Sequence, residues 1–296
     1  MRPLRYLLIA GSAAVLAGAL TLTATAATTT TTPARTSHAA YSARYLSAAR
    51  NALAHYLRHY RPQLMLAGRP RARATGITAA PSFNWSGYAD GSKTTKAGTF
   101  TKVSGSWTTP SVRCGPEDEL TAEWVGLDGW ISTSLEQLGT ISWCYEGSAT
   151  YFTWWEMFPT GTGLIRVGTT LQPGDKISAS VTRSGTNYTL KLTDYTNTAN
   201  SFTTKQSCPA ATCPDTSAEW IAERPAFGIG IAPLAHYNGF TVTNGAQTSG
   251  GTAGTIGSFT SVNELTMIDA TQAYNLNNVS ALTGKNSFTT TWQNSY

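Results

Sequence analysis

A short apolar run at 216–225, "TSAEWIAERP", carries two carboxylates, Glu219 and Glu223, on either side of Trp220. Side chains of a β-strand alternate between its two faces, so Glu219 and Glu223 are predicted to share one face while Trp220 takes the other. A carboxyl group has a reference pKa of about 4, which suits general acid or base catalysis in acidic medium. The run therefore indicates carboxylate chemistry.

Histidine-dependent and phosphate-dependent chemistries find little support. Three of the four histidines precede residue 81, which leaves His236 alone in the rest of the chain. A Ser-His-Asp or Cys-His arrangement would depend on that one residue, and the G-x-S-x-G and H-E-x-x-H motifs are missing. Glycine loops of the Walker or dinucleotide type are also missing. No metal and no cofactor is expected.

The N-terminal 80 residues differ from the remainder. Arg2 and Arg5 precede an apolar run from Leu7 to about Leu22, and an A-x-A pattern follows at 24–26, as in a secretory signal peptide. Residues 1–26 are therefore expected to be removed and the protein to be secreted. Residues 27–80 are expected to form a basic pro-segment, with a Thr-rich spacer, an amphipathic helix over 40–62 and an exposed linker at 67–76.

Charge is divided in the same way. Residues 1–80 contain ten Arg and no carboxylate, whereas residues 81–296 contain seven Lys and four Arg against sixteen carboxylates, a net charge of −5. Because the basic residues lie in a segment expected to be removed, no nucleic-acid partner is predicted. The two parts are instead expected to attract each other at neutral pH and to separate as carboxylates become protonated.

The four cysteines, Cys114, Cys144, Cys208 and Cys213, favour two disulfides in an oxidising compartment. Cys208 and Cys213 are close enough in sequence to close a short loop, which leaves Cys114 with Cys144. The other pairings stay open.

Residues 81–296 are predicted to form one all-β domain, a sandwich of two antiparallel sheets. Short runs rich in Val, Ile, Thr, Tyr and Trp are separated by Gly, Asn or Pro every eight to twelve residues. The clearest hairpin is Lys176 to Arg183 with Tyr188 to Asp194. No run after the signal peptide is apolar enough to cross a bilayer, so no stable membrane association is expected.

Four segments, in this order, resemble the glutamic peptidases, or eqolisins. They are "NWSGY" at 84–88, "AEWVGLDG" at 122–129 with "LEQLGT" at 135–140, "WWEMFP" at 154–159 and "AEWIAER" at 218–224. The similarity implies a lectin- or glucanase-like sandwich with its site on the concave face of one sheet. It also implies an endopeptidase that is active in acid on polypeptide substrates.

The family's catalytic pair falls on Gln137 and Glu223 of this chain. The resemblance places Trp124 and Asp128 near the site and matches Glu156 to a glutamate of the family's aromatic segment. Trp155 and Glu219 are assigned supporting or substrate-facing roles. On this mapping Glu223 is the general base, Gln137 stabilises the oxyanion, and the pro-segment is an intramolecular inhibitor of a monomeric enzyme.

Two positions depart from the family pattern. Glu136 puts an additional carboxylate beside Gln137, and strand alternation predicts that it points to the opposite face. Arg224 follows Glu223 where the best-known members have an acid, so a nearby cation would lower the pKa of the glutamate if it approached.

Two other functions remain open from the sequence. A glycoside hydrolase on a similar sandwich would use a carboxylate pair such as Glu146 and Glu156. A carbohydrate-binding module would use exposed Trp and Tyr without catalysis. Neither a glycoside hydrolase nor a carbohydrate-binding module requires the glutamine that this chain has at position 137.

Overall fold

The computed structural model describes residues 60–61, 63–72, 76–161, 163–227 and 230–296. All of them belong to one compact unit, Tyr45–Tyr296. The signal peptide and most of the predicted amphipathic helix lie outside the described residues. The last described part of that prediction was wrong, because Tyr60–Arg61 form a strand that is stabilised by pairing with Ala226–Phe227.

The described secondary structure is almost entirely β. In chain order the strands are β1 (Tyr60–Arg61), β2 (Arg71–Ala72), β3 (Thr78–Ser82), β4 (Trp85–Asp90), β5 (Phe100–Thr108), β6 (Val112–Arg113), β7 (Glu119–Leu127), β8 (Leu135–Tyr145), β9 (Ser148–Phe158), β10 (Ile165–Arg166), β11 (Lys176–Ser184), β12 (Asn187–Asp194), β13 (Phe202–Ser207), β14 (Ala218–Glu223), β15 (Ala226–Phe227), β16 (Gly230–Ile231), β17 (His236–Tyr237), β18 (Phe240–Ser249), β19 (Thr252–Thr255), β20 (Val262–Met267), β21 (Asn277–Val279) and β22 (Phe288–Trp292). Short 3₁₀ helices occur at Thr198–Asn200 and Ile256–Ser258. No helix in this described part of the chain has the length and apolar character needed to cross a membrane.

Two sheets form the predicted sandwich. The larger sheet has the order β10-β9-β8-β7-β14-β4-β20-β3-β2, and the smaller has β13-β12-β11-β5-β18-β22-β21 with β19 beside β18. Pairing is antiparallel in both sheets except between β20 and β3, which run parallel near one edge of the larger sheet. The predicted hairpin is confirmed as β11 and β12.

The two sheets differ in how their faces are covered. Strands β11 and β12 alternate between buried and more exposed residues, as expected when one face meets solvent. Strands β4 and β14 of the larger sheet are buried at every position. The larger sheet is therefore covered on both faces.

Each face of the larger sheet carries its own apolar cluster. The inner face meets the smaller sheet, where Trp220 donates from Nε1 to the carbonyl of Ser104 at 2.8 Å. The outer face, turned away from the smaller sheet, carries an aromatic layer made of Trp85, Trp124, Trp143, Phe152 and Trp154. This second layer surrounds the candidate site.

Both disulfides have the pairing favoured by the sequence, Cys114 with Cys144 and Cys208 with Cys213. The first links the loop before β7 to the end of β8. The second closes a short loop after β13.

Candidate active site

Strand register brings polar side chains into one row on the outer face of the larger sheet. Gln137 of β8 lies opposite Glu156 of β9 on one side and Gly126 of β7 on the other. Gly126 in turn lies opposite Glu219 of β14. The side-chain amide of Gln137 donates from Nε2 to Oε2 of Glu156 at 2.9 Å, and both side chains are fully buried.

Glu223 lies on the same face, four residues beyond Glu219 along β14. Trp124 of β7 donates from its indole Nε1 to Oε2 of Glu223 at 2.8 Å. A hydrogen bond of this kind to a charged group is worth about 1.5–3 kcal/mol. One oxygen of the carboxylate is thereby held in a defined position.

The rings of Trp154 and Trp124 fit beside these polar groups because a glycine, Gly139, lies between the two tryptophans. One row across the sheet runs Trp154, Gly139, Trp124, Ile221. A Cβ atom on Gly139 would lie 2.0 Å from the backbone oxygen of Glu123, so a larger residue cannot be placed there without moving the backbone. Trp124 also packs edge-to-face on Trp85, with ring centroids 4.8 Å apart.

Glu219 shares the face but has a different environment. Its Oε1 accepts from the backbone N–H of Trp130 at 3.3 Å, so it holds the loop that follows β7. Burial raises the pKa of Glu219 well above its usual value, and the nearby Asp128 adds to that effect.

Asp128 is a loop clamp at the end of β7. Its carboxylate accepts from the backbone N–H groups of Asp215 at 2.7 Å and Thr216 at 2.8 Å, and from the hydroxyls of Thr216 at 3.0 Å and Ser134 at 3.2 Å. The residue is fully buried and has a φ of 68°. It organises the loops beside the site rather than the row that contains Gln137.

Trp155, which was assigned a supporting role in the site, is not brought to the outer face, and neither is Glu136, which was predicted to face away. Trp155 alternates with Trp154 and Glu156 and packs against the inner cluster. Glu136 likewise points to the inner face, as alternation predicted. The outer-face residue of the tryptophan pair is therefore Trp154, a position that the two-residue spacing from Glu156 could have identified.

The carboxylate pair of the glycosidase alternative is also separated. Glu146 is exposed in the turn between β8 and β9, with a φ of 47°. Glu156 lies ten residues further along the strand that follows, roughly 30 Å away at about 3.3 Å per residue. Paired glycosidase carboxylates lie only about 5–10 Å apart.

Arg224, the second departure from the family pattern, is almost completely buried just after β14. Burial lowers the pKa of its guanidinium to about 10, and the opposing influence is the negative charge of Asp269. Its backbone N–H donates to the carbonyl of Asn84 at 2.7 Å, which joins the end of β14 to the start of β4.

Asn84 connects this end of the site to residues that precede the sandwich. Its Oδ1 accepts from the backbone N–H of Met65 at 2.8 Å, and its Nδ2 donates to the carbonyl of Gln63 at 2.9 Å. Leu64, between them, packs against the apolar cluster of the outer face. No sequence pattern predicts this contact, apart from the position of Asn84 next to Trp85.

Comparison with known proteins supplies a family. The sequence profile of the Peptidase A4 family matches residues 83–292. Scytalido-glutamic peptidase, crystallised with a peptide-based transition-state analogue, is 23% identical with a TM-score of 0.57, and the match covers 71% of this chain and 98% of that one. SCP-B, an eqolisin crystallised with the tripeptide Ala-Ile-His, is 22% identical with a TM-score of 0.55 over 71% and 98% of the two chains.

Aspergilloglutamic peptidase from Aspergillus niger is 25% identical with a TM-score of 0.50, over 59% of this chain and 99% of that one. A search of curated protein sequences found no match. The structural matches show that the sandwich is the one these peptidases share.

Proposed function

The chain belongs to the Peptidase A4 family, the glutamic peptidases, and on that premise we propose that it is a secreted endopeptidase active in acid, with Glu223 and Gln137 as catalytic pair. The observation that carries the proposal is their placement on one buried face. Each is held by a specific neighbour, Glu223 by Trp124 and Gln137 by Glu156.

Hydrolysis on this site begins with Glu223 as a carboxylate. It takes a proton from a water molecule while the water oxygen bonds to the scissile carbonyl carbon. The protonated Glu223 then gives that proton to the leaving nitrogen as the carbon–nitrogen bond breaks. The products are a free carboxyl terminus and a free amino terminus, and Glu223 is restored.

Gln137 does not titrate, so its contribution is electrostatic. Its side-chain nitrogen carries two hydrogens, and one of them is directed to Glu156. The second hydrogen can donate to the oxyanion of the tetrahedral intermediate. Because Glu156 fixes the amide in advance, little reorganisation is needed as the charge develops.

The pro-segment is proposed to restrain this site before activation. Residues 63–67 run along the start of the sandwich, with backbone hydrogen bonds from Phe83 to Met65 at 2.8 Å and from Ala67 to Pro81 at 3.0 Å. Leu64 packs against the outer-face apolar cluster, which contains Trp85. Trp85 lies opposite Glu223 in the sheet. Removal of this segment by cleavage between about Arg69 and Pro81 would uncover that end of the face.

Acidification tests the catalytic assignment. The chain is expressed from Ala27 and brought to about pH 3–4, and both self-processing and cleavage of a denatured protein are followed. We expect the unsubstituted protein to cleave and to resist pepstatin-type inhibition. Glu223→Gln should lose about a hundred- to ten-thousandfold in rate, and Gln137→Ala about a hundred- to a thousandfold.

Glu146→Gln, at an exposed turn, is the matched control and should retain full activity. Circular dichroism establishes that each variant is folded. Cleavage by folded Glu223→Gln at the control rate would refute the assignment. Release of reducing sugar from a polysaccharide, without peptide release, would instead support the glycosidase alternative.

Adding the pro-segment as a separate peptide tests whether it inhibits the mature enzyme. A peptide spanning residues 27–72 is added to the processed enzyme between about pH 3 and 6. We expect inhibition that weakens toward the acid end, since fewer carboxylates then attract its arginines. Leu64→Asp should weaken it about tenfold, because Leu64 is partly buried and full burial of a leucine contributes about 1.5–3 kcal/mol, whereas Met65→Ala, at an exposed position, should not. A leader that inhibits at no pH would exclude the restraint.

A further inference from the structure

Between the two sheets lies a second group of carboxylates that the proposed reaction does not use. One oxygen each from Asp128, Glu136 and Asp215 lies within 4.8 Å of the others. All three side chains are fully buried. They come from the end of β7, from β8 and from the loop before β14, so the group joins three parts of the structure.

Two of the three carboxylates have polar partners. Asp128 accepts the four hydrogen bonds described above. Asp215 accepts from the hydroxyl of Tyr188 at 2.8 Å and forms an ion pair with Arg183 at 2.9 Å. Tyr188 and Arg183 belong to the smaller sheet, so Asp215 also connects the sheets.

Glu136 is the exception. Neither of its carboxylate oxygens has a hydrogen-bond donor, although the side chain is completely buried. The groups that face it are the carboxylates of Asp128 and Asp215 and the phenol of Tyr188, with Glu219 further away. The sulfur atoms of the Cys208–Cys213 disulfide lie within 4.8 Å of one Glu136 oxygen. A buried carboxylate without donors or a cation of its own is strongly unfavourable.

We propose that Glu136 is a proton-binding site, in which its carboxylic acid donates a hydrogen bond to the carboxylate of Asp128 and makes the association of the two sheets dependent on acid. One proton lets one of the two unpartnered oxygens of Glu136 donate a hydrogen bond, and it removes the repulsion of Glu136 by the two neighbouring carboxylates. Arg183 then needs to balance only the remaining charge. This inference concerns stability and does not depend on the proposed hydrolysis.

The titration has a definite direction. Burial, with Asp128 and Asp215 adding to it, raises the pKa of Glu136 well above its usual value, and burial raises the pKa of Asp215 to about 6. The stabilisation is therefore complete below the unfolded-state pKa and is lost as the pH rises through the folded-state values. For one proton, the folding equilibrium constant falls about tenfold for each pH unit in that interval.

Thermal unfolding across pH tests the site. The measurements use the Glu223→Gln background in all samples so that self-cleavage cannot interfere. Glu136→Gln keeps the size of the side chain and can donate to Asp128 without titrating. We expect its Tm to match the parent at about pH 4 and to exceed it by roughly 3–5 °C for each pH unit above that. Glu146→Gln, at the exposed turn of the same hairpin, should follow the parent throughout.

Equal pH dependence in Glu136→Gln and the parent would overturn the proposal. Measuring the Tm with added calcium tests the alternative, because three clustered carboxylates could bind a cation instead of a proton. If calcium raises the Tm at neutral pH and Glu136→Gln abolishes that rise, the site binds a cation and not a proton.

If Glu136→Gln does not fold, infrared spectra of the parent and of Glu136→Leu test whether Glu136 is protonated. The carbonyl band of a protonated carboxyl group should persist at neutral pH in the parent and decrease in Glu136→Leu, and its absence from the parent would refute the proton.

Discussion

The two faces of the larger sheet use the same kinds of side chain for different purposes. Adjacent residues of one strand separate them: Trp124 and Gln137 point outward, whereas Glu123 and Glu136 point inward. On the outer face, Glu223 receives an indole N–H. On the inner face, the carboxylate of Glu123 accepts from the hydroxyls of Thr121 and Thr140.

This difference separates reactivity from stability between the two faces of one sheet. Burial raises the pKa of Glu123 to about 8, and its two hydroxyl partners only partly offset that effect. A buried carboxyl group of this kind is compatible with the folded state in acid, where it is neutral. It lowers the stability of the fold at neutral pH, where the unfolded chain is ionised. Catalytic changes are therefore expected at Glu223 and Gln137 on the outer face, and pH-dependent stability changes at Glu123 and Glu136 on the inner one.

The largest expected effect tests whether the outer face needs its glycine. In Gly139→Ala the new Cβ would meet the backbone oxygen of Glu123 at 2.0 Å and the Cβ of Trp124 at 2.7 Å. Overpacking typically costs about 1–3 kcal/mol and sometimes more, and a clash with backbone lies at the upper end. We expect a loss of about 3 kcal/mol or more in urea unfolding, together with impaired proteolysis. Gly174→Ala is the comparison, because nothing lies within 4 Å of its Cβ, although its φ of 92° adds backbone strain. If Gly139→Ala is no less stable than Gly174→Ala, the backbone around Gly139 can move enough to accept a Cβ atom, and the expectation is wrong.

Glu123→Gln tests the inner face. The folded protein keeps a proton on Glu123 up to about pH 8, whereas the unfolded chain loses it near 4.5. Stability from this group is therefore complete below that lower value and falls as the pH rises, by about 1.4 kcal/mol per unit. Glu123→Gln should thus be more stable than the parent by up to about 3 kcal/mol at neutral pH.

The same variant should hydrolyse denatured protein at the normal rate in acid, because Glu123 points away from Glu223. Chemical denaturation at acidic and neutral pH provides the measurement. A variant that loses activity in acid while remaining folded would connect the two faces and break the distinction between them.

Trp124→Phe is a smaller change that tests the role of the indole hydrogen bond on the outer face. The substitution keeps an aromatic ring and removes the N–H that Glu223 accepts. A hydrogen bond to a charged group is worth about 1.5–3 kcal/mol, so kcat should fall roughly ten- to a hundredfold with little change in KM. Trp143→Phe, in the same aromatic layer, is the matched control. A fall in kcat of equal size in both would mean that packing, and not the hydrogen bond, matters.

Sequence reasoning succeeded where the information is local. Alternation along a strand placed Glu219 with Glu223 and Trp220 opposite them, and it turned Glu136 away from Gln137. It also identified the β11 and β12 hairpin, whose turn lies between adjacent segments. The segment match points to Trp155, whereas alternation from Glu156 points to Trp154, which is the tryptophan on the outer face.

By itself the sequence determined the class of fold, the family resemblance and the side of each strand on which a residue lies, because a period of two is written into consecutive residues. Tertiary structure decided which rows those residues join. Trp124 and Glu223 meet across 99 positions, and Glu136 meets Asp215 only because β8 and the loop before β14 are brought together. Such contacts depend on strand order and register, and these follow from the packing of both sheets as a whole.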